Sequence, residues 1–294
     1  MTLRKAERSD LVDIAQLWRT NAAAGLSDAA WPENAVVSEL ARCWILPSEF
    51  AGVRAATFAN NIPTQDGTVM RMEPVLAIDT AAERDFLIEA GKGAKVAATA
   101  DTAHAWVAGD RMEPYVSLGW RLERTFQRLD RLTLDSLPAA ALAADYRIQD
   151  ATSPDVDLAA WTRTYDAAFE GEWLHMPDRA GTVWQIARLN PATCVAALNR
   201  EGTPVGLALS HLMFRDDPRP QPIGHVAVIC VAADDRRRGI GRSLLVQVLL
   251  RLRAMGAKCA TIRADLGSVH ESHRLYQWAG FDARLNLNIW ARTI

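Results

Sequence analysis

The stretch "DDRRRGIGRSLL", Asp234 to Leu245, sets three consecutive arginines before two glycines one residue apart and runs directly into an apolar helical pattern. Such a loop has three classes of partner: a nucleic-acid backbone, the phosphates of a nucleotide, or the pyrophosphate of a coenzyme. A triphosphate loop needs G-x-x-x-x-G-K-[ST], and this stretch has neither the lysine nor the spacing. A dinucleotide fingerprint needs G-x-G-x-x-G, and Leu244 stands at the third glycine position. With 33 Lys+Arg against 35 Asp+Glu the net charge is −2, so no general attraction to nucleic acid or to an anionic membrane is expected. The arginines are a local feature.

Upstream, "HVAVICVAA" (225–233) reads as a strand in a sheet covered on both faces. Downstream, Leu244, Leu245, Val248, Leu249 and Leu252 fall at helical spacing. Gly239 and Gly241 lack side chains where strand gives way to helix, so a diphosphate could approach the backbone N–H groups at the helix start, where the dipole also favours negative charge.

Working outward, "YRIQDATSPDVDLAAWTRTY" (146–165) reads as strand, polar turn and helix, and "CVAALNREGTPVGLALSHLMF" (194–214) as a hairpin. "KCATIRA" (258–264) and "LNLNIWAR" (285–292) read as strands on either side of "HRLYQWAGF" (273–281). The first half follows a similar order. Leu11, Ile14, Ala15 and Trp18 predict a helix over 10–24 after a short strand, with Ser9-Asp10 as its cap. Extended segments are expected at 42–46, 51–58 and 68–78. A helix weakened by Gly91 and Gly93 follows within 80–100, then a buried strand in "HAWVAG" (104–109). "RLERTFQRLDRLTL" (121–134) alternates like a strand with one wet face. Tyr115, Gly119 and Trp120 repeat the Tyr-x-x-x-Gly-aromatic spacing of Tyr276, Gly280 and Phe281. The repeated order predicts an internal duplication, with domains at 1–135 and 146–294 and "DSLPAAALAAD" supplying a linker at 136–145.

Cys43, Cys194, Cys230 and Cys259 are scattered without C-x-x-C pairing, which favours reduced thiols over disulfides or zinc. The charged N-terminal stretch does not read as a signal peptide, and no apolar run reaches spanning length. The expected setting is cytoplasmic, with no nucleic-acid or membrane partner and no metal.

"ICVAADDRRRGIGRSLL" followed by "LYQWAGF" resembles the GNAT N-acetyltransferase superfamily, whose signature is [RQ]-x-x-G-x-[GA] followed by a tyrosine-bearing motif. The resemblance covers 146–294. It implies an α/β fold of two tandem GNAT-like domains, each a mixed, largely antiparallel sheet flanked by helices, and acetyl-CoA as donor. It further implies that Ile229, Cys230 and Val231 lie on a splayed strand whose backbone binds the pantetheine arm. Arg236, Arg237, Arg238, Gly239, Ile240, Gly241 and Arg242 would then wrap the pyrophosphate. Tyr276 stands where the family places its general acid, and the backbone N–H near Val231 where an oxyanion would be held.

Where many members carry a glutamate this chain has His225, a candidate base. Glu170, Glu172 and His175 in "FEGEWLHM" compete for that role, and with Trp173 they are candidates for holding a cationic acceptor. Val269 stands where the family often has a coenzyme-contacting asparagine, so that contact is lost or supplied by Ser268 or Ser272. The first half lacks the glycine loop altogether, which implies a degenerate copy that does not bind coenzyme. The tandem layout and "DAAFEG" (166–171) resemble mycothiol synthase-like proteins. The expected activity is acetyl transfer to a primary amine of a small molecule by direct attack on the thioester, in a monomer. The alternative is a regulatory module that binds coenzyme A without turnover.

Overall fold

The computed structural model describes residues 2–23, 40–48, 52–64, 67–92, 100–151, 158–173, 188–189, 191–214 and 222–294. The chain forms two compact units that do not follow simple chain order. Residues up to Gln127 form the first together with Leu285–Ile294, and the described residues from Arg128 to Arg284 form the second.

The first unit contains β1 (Arg4–Lys5), α1 (Leu11–Ala23), β2 (Cys43–Pro47), β3 (Val53–Thr64), β4 (Gly67–Ala77), α2 (Thr80–Gly91), β5 (Thr102–Ala108), the start of β6 (Arg121–Arg131) and most of β12 (Asp282–Thr293). Its strands lie in the order β1-β2-β3-β4-β5-β12-β6. β4 and β5 are parallel, whereas β1–β2, β2–β3, β3–β4 and β5–β12 are antiparallel. The helical period over 11–18 buries Ile14 and Leu17 against Ile45, Val53 and Leu76. On the other core, α2 sets Phe86, Leu87 and Ala90 against Met70, Met72, Tyr115 and Trp290.

The second unit contains the end of β6, β7 (Arg147–Asp150), α3 (Leu158–Phe169), β8 (Val195–Leu198), β9 (Pro204–Phe214), β10 (Pro222–Val231), α4 (Ile240–Ala254), β11 (Cys259–Asp265) and α5 (Ser272–Trp278). The order is β11-β10-β9-β8-β7, parallel only between β10 and β11. Under α4, Leu244, Leu245, Val248, Leu249 and Leu252 are buried with Val226, Ile262 and Phe281. At about 1.5–3 kcal/mol for each fully buried large aliphatic, this stripe holds the helix onto the sheet. α3 covers the opposite face with Trp161, Tyr165 and Phe169, whose rings succeed one another at centroid spacings of 6.1 and 4.7 Å.

Each unit carries the same interruption in its parallel pair. Pairing of β4 with β5 ends at Met72↔Ala105, and the β3–β4 register shifts between Thr57 and Ala59. Pairing of β10 with β11 ends at Val226↔Ile262, and the β9–β10 register shifts between Val226 and Val228. The duplicated order seen in the sequence is thus matched by a duplicated irregularity.

One local expectation differs. β6 does not alternate: its first residues are exposed and its last three, Leu129 to Arg131, are buried in succession. The reason is that the end of the strand enters the core of the second unit, where Leu129 packs under α4. Arg131 donates there to the carbonyls of Ala279 and Ser136. The segment 136–145 forms no helix or strand, yet Leu137 and Leu142 pack on the same core.

Candidate active site

The site begins where β10 and β11 part. From Val228 to Val231, β10 keeps its pairing with β9 but has left β11, so one edge of its backbone faces a slot. A slot of this kind accepts an extended, amide-bearing chain, because strand-edge N–H and C=O groups are spaced to bond one. Gly224 would drive a Cβ into Leu252 of α4, and Val226 packs in the same core. By strand alternation His225 therefore projects to the opposite face, towards α3, where Val228 and Cys230 also pack.

Beyond β10 the backbone turns through Arg237 (φ 64) and Gly239 (φ 82), both left-handed, before α4 begins. No side chain caps that helix, and its first N–H with an internal acceptor is Ser243, bonded to Gly239 O at 3.0 Å. Left-handed residues in such a turn gather N–H groups into a concave row, and the uncapped helix start adds its own, so the loop suits a diphosphate. Gly239 is required twice over: its φ favours glycine, and a Cβ there would lie 2.5 Å from the carbonyl oxygen of Ala141.

The arginines divide their labour. Arg236 turns inward, its Nε donating to Val231 O at 3.0 Å and its Nη2 to Ala168 O at 3.1 Å. Arg237 is exposed. Arg238 donates to the Tyr146 hydroxyl at 2.6 Å, and that hydroxyl donates to Asp235 at 2.8 Å. Arg242 lies over Trp278, 4.8 Å from the ring centroid. Ile240 is buried and Gly241 half-buried at the helix start.

Tyr276 on α5 is 5% exposed. Burial pushes its phenol up to about 12, while a hydrogen bond with Ser272 pulls the other way and the nearby Cys230 thiol adds to the rise. The phenol therefore stays protonated through the neutral range. Ser272 lies within hydrogen-bonding reach of the phenol, and either hydroxyl can donate to the other. Burial likewise pushes Cys230 up to about 12, so the thiol in this slot remains neutral and does not compete as a nucleophile. His225 stands beside His211 across the β9–β10 pair, their ring centroids 5.1 Å apart, and burial lowers the pKa of His211.

Of the acidic segment, Glu170 is exposed, Glu172 and Trp173 are half-buried, and His175 lies outside the described residues. Glu172 Oε1 accepts from the Ser268 hydroxyl at 3.1 Å and sits 3.2 Å from His270 Nε2. Sequence reasoning missed His270 and the inward turn of Arg236. The only signal was the arginine that opens the loop motif, and nothing in the sequence gives its direction.

The corresponding places in the first unit are filled by its own side chains. α2 is capped by Asp79, whose carboxylate accepts from Ala82 N at 2.7 Å. Tyr115 donates to buried Glu83 at 2.5 Å, Arg111 pairs with the same carboxylate at 2.9 Å, and Trp290 stacks on the tyrosine at 5.3 Å. Burial raises the pKa of Glu83, with Arg111 and the Tyr115 hydrogen bond opposing, and raises that of Tyr115 well above its ordinary value. Among the described residues there is no metal-binding group of His, Cys, Asp and Glu, and no helix long and apolar enough to cross a membrane.

Comparison with known proteins bears on the family and the fold. The family model described as Acetyltransferase (GNAT) family matches residues 158–281. A mycothiol acetyltransferase from Thermobispora bispora is 28% identical over 203 residues, which span 64% of this chain and 66% of that protein, a little under two thirds of its length. A GCN5-related N-acetyltransferase from Sphaerobacter thermophilus shares the fold with a TM-score of 0.72 at 18% identity, over 99% of this chain and 95% of that one. A tandem GNAT protein from the clavulanic acid biosynthesis pathway does so with a TM-score of 0.66 at 14% identity, over 99% and 98%. The chain has the tandem GNAT fold, and the GNAT acetyltransferase family model matches its residues 158–281, on the unit that carries the slot, the open loop and Tyr276.

Proposed function

We propose that the second unit transfers an acetyl group from acetyl-CoA to a primary amine of a small molecule, and that the first unit is a degenerate copy that binds no coenzyme. The observation that carries this reading is the coincidence, in one unit only, of an uncapped helix start behind left-handed Gly239 with a protonated tyrosine beside the slot. The coenzyme supplies an activated acyl group on sulfur. The chain's own residues do the rest. The N–H groups of the loop from Arg237 to Arg242 hold the diphosphate, with the exposed arginines adding charge. The free edge of β10 from Val228 to Val231 orients the pantetheine arm, and a backbone N–H near Val231 faces the developing oxyanion, a contribution of about 3–4 kcal/mol where such donors have been removed in other enzymes. Tyr276 offers its proton to the departing sulfur.

The amine must arrive neutral. His225 projects on the α3 side, next to a histidine that burial disfavours charging, and is the base in this reading. Trp173 and the carboxylates of Glu170 and Glu172 would draw a cationic acceptor to the same side, with the aromatic face adding a cation–π contact. The test is acetyl transfer to a panel of small amines with the pH profile of kcat/KM. The parent should show an acidic limb that His225→Gln removes while coenzyme affinity stays within about twofold, since the limb reports the essential base of the free enzyme. An unchanged limb refutes the base. Coenzyme binding with no turnover on any amine refutes the enzyme in favour of a regulatory module.

A further inference from the structure

β10 and β11 separate after Val226↔Ile262, yet their continuations meet again. Arg236, five residues beyond the end of β10, places Nη1 2.9 Å from Nε2 and 3.2 Å from Nδ1 of His270, five residues beyond the end of β11. His270 Nε2 in turn lies 3.2 Å from Glu172 Oε1, an oxygen that also accepts from Ser268 at 3.1 Å. The imidazole thus stands between the Arg236 guanidinium and the Glu172 carboxylate and contacts both. The guanidinium cannot swing away freely, because Val231 O and Ala168 O each take one of its remaining donors. The slot is therefore a closed ring, bounded by paired backbone at one end and by side chains at the other. The bond to Ala168 near the end of α3 puts the closure on the α3 side. His225, Val228 and Cys230 project on that same side.

We infer that Arg236, His270 and Glu172 form a bar across the α3 side of the slot that keeps bulk water from the thioester until an amine replaces it. They are positioning residues that set the ratio of acetyl transfer to hydrolysis. The reaction they suppress is complete with water alone: its oxygen bonds to the carbonyl carbon, the carbon–sulfur bond breaks, one proton of the water passes to the departing thiolate and the other to solvent, and acetate and the coenzyme thiol leave. The bar explains why the first arginine of the loop turns away from the phosphate path. It also gives Ser268 a role as a second donor that fixes the carboxylate. The inference rests on the acyl-CoA reading above.

The experiment measures release of coenzyme thiol from acetyl-CoA by the full chain with no acceptor present, after binding of acetyl-CoA has been confirmed by calorimetry. Leaving out the acceptor removes any part that Glu172 plays in holding an amine. His270→Ala should raise hydrolysis roughly tenfold or more, the scale of one lost hydrogen bond to a charged group, while KM for acetyl-CoA stays within about twofold. Glu172→Gln, which keeps the size of the side chain, should raise it in the same direction and serves if the alanine variant folds poorly. His270→Gln, which retains a donor and an acceptor, should return hydrolysis towards the parent rate. A variant that binds acetyl-CoA like the parent and hydrolyses it no faster overturns the bar alone. A parent chain that binds no acetyl-CoA overturns the bar together with the function on which it rests.

Discussion

Replacing Tyr276 with phenylalanine removes the hydroxyl and leaves the ring, which packs edge-on to Phe281 at 6.4 Å, in place. The size of the effect follows from the phenol's environment. With its pKa pushed up to about 12 against roughly 8.5 for an ordinary thiol, complete proton transfer to the departing thiolate is uphill by about 4–5 kcal/mol. The hydroxyl therefore helps mainly as a charge-assisted hydrogen bond to sulfur, a contribution of about 1.5–3 kcal/mol. Turnover of Tyr276→Phe should fall by roughly 10–150-fold, mostly below the 10²–10⁴ usual for a positioned acid. The assay is steady-state transfer to a saturating amine, with acetyl-CoA affinity measured separately and expected to change little. The loss should shrink with an acyl donor whose thiol has a lower pKa, because that sulfur departs with less help. Transfer at the parent rate, or an equal loss with every leaving group, would refute the role. The same burial predicts a spectroscopic signature. The folded phenol keeps its proton above pH 10, where an unfolded one loses it, so stability falls as pH rises from 10 to about 12, and Tyr276 should ionise late in an ultraviolet titration.

At Gly239, alanine would meet the Ala141 carbonyl at 2.5 Å with φ at +82°, so Gly239→Ala should cost at least about 1–2 kcal/mol in thermal unfolding and weaken coenzyme binding. Gly241→Ala places its Cβ 3.5 Å from Leu275, an ordinary contact, and should leave stability nearly unchanged; equal losses at both positions would mean that the linker carbonyl is not the constraint. Calorimetry of the full chain should find one acetyl-CoA per chain, since Asp79 and Glu83 already occupy the helix start of the first unit, and two equivalent sites would refute the degenerate copy. Tyr115→Phe should lower stability by about 1–3 kcal/mol, by taking a donor from buried Glu83, without altering acetyl-CoA affinity.

The parts of this molecule that were legible in its sequence are those where local chemistry and packing agree. The stripe from Leu244 to Leu252 could only be a helix against a core, and it is buried as its spacing requires. The glycine pair marked a turn whose left-handed Gly239 no other residue would fit comfortably. Tyr276 and Tyr115 share a sequence pattern, but their fates were illegible. One is paired with Ser272 and the other with a buried glutamate 32 residues earlier, and no local rule reads across that separation. The direction of Arg236 was illegible for a related reason: the sequence places an arginine beside the glycines, but the two carbonyls to which its side chain donates are brought near only by the fold. β6 read as a surface strand because its polar and apolar residues alternate; the burial of Leu129, Asp130 and Arg131 in succession depends on which core its end enters.

The assignment of Leu285–Ile294 to the first unit sets an order of events during synthesis. Trp290, which stacks on Tyr115 and completes that core, is translated after all of the second unit. While the ribosome is still making the second unit, the first has an unpaired β5 edge waiting for β12, the kind of edge that invites pairing with other chains. The residues of the second unit are therefore complete before those of the first, against the usual N-to-C order of domain completion. A released chain that ends at Arg284 should resist protease from Arg128 onward while remaining cleavable before it.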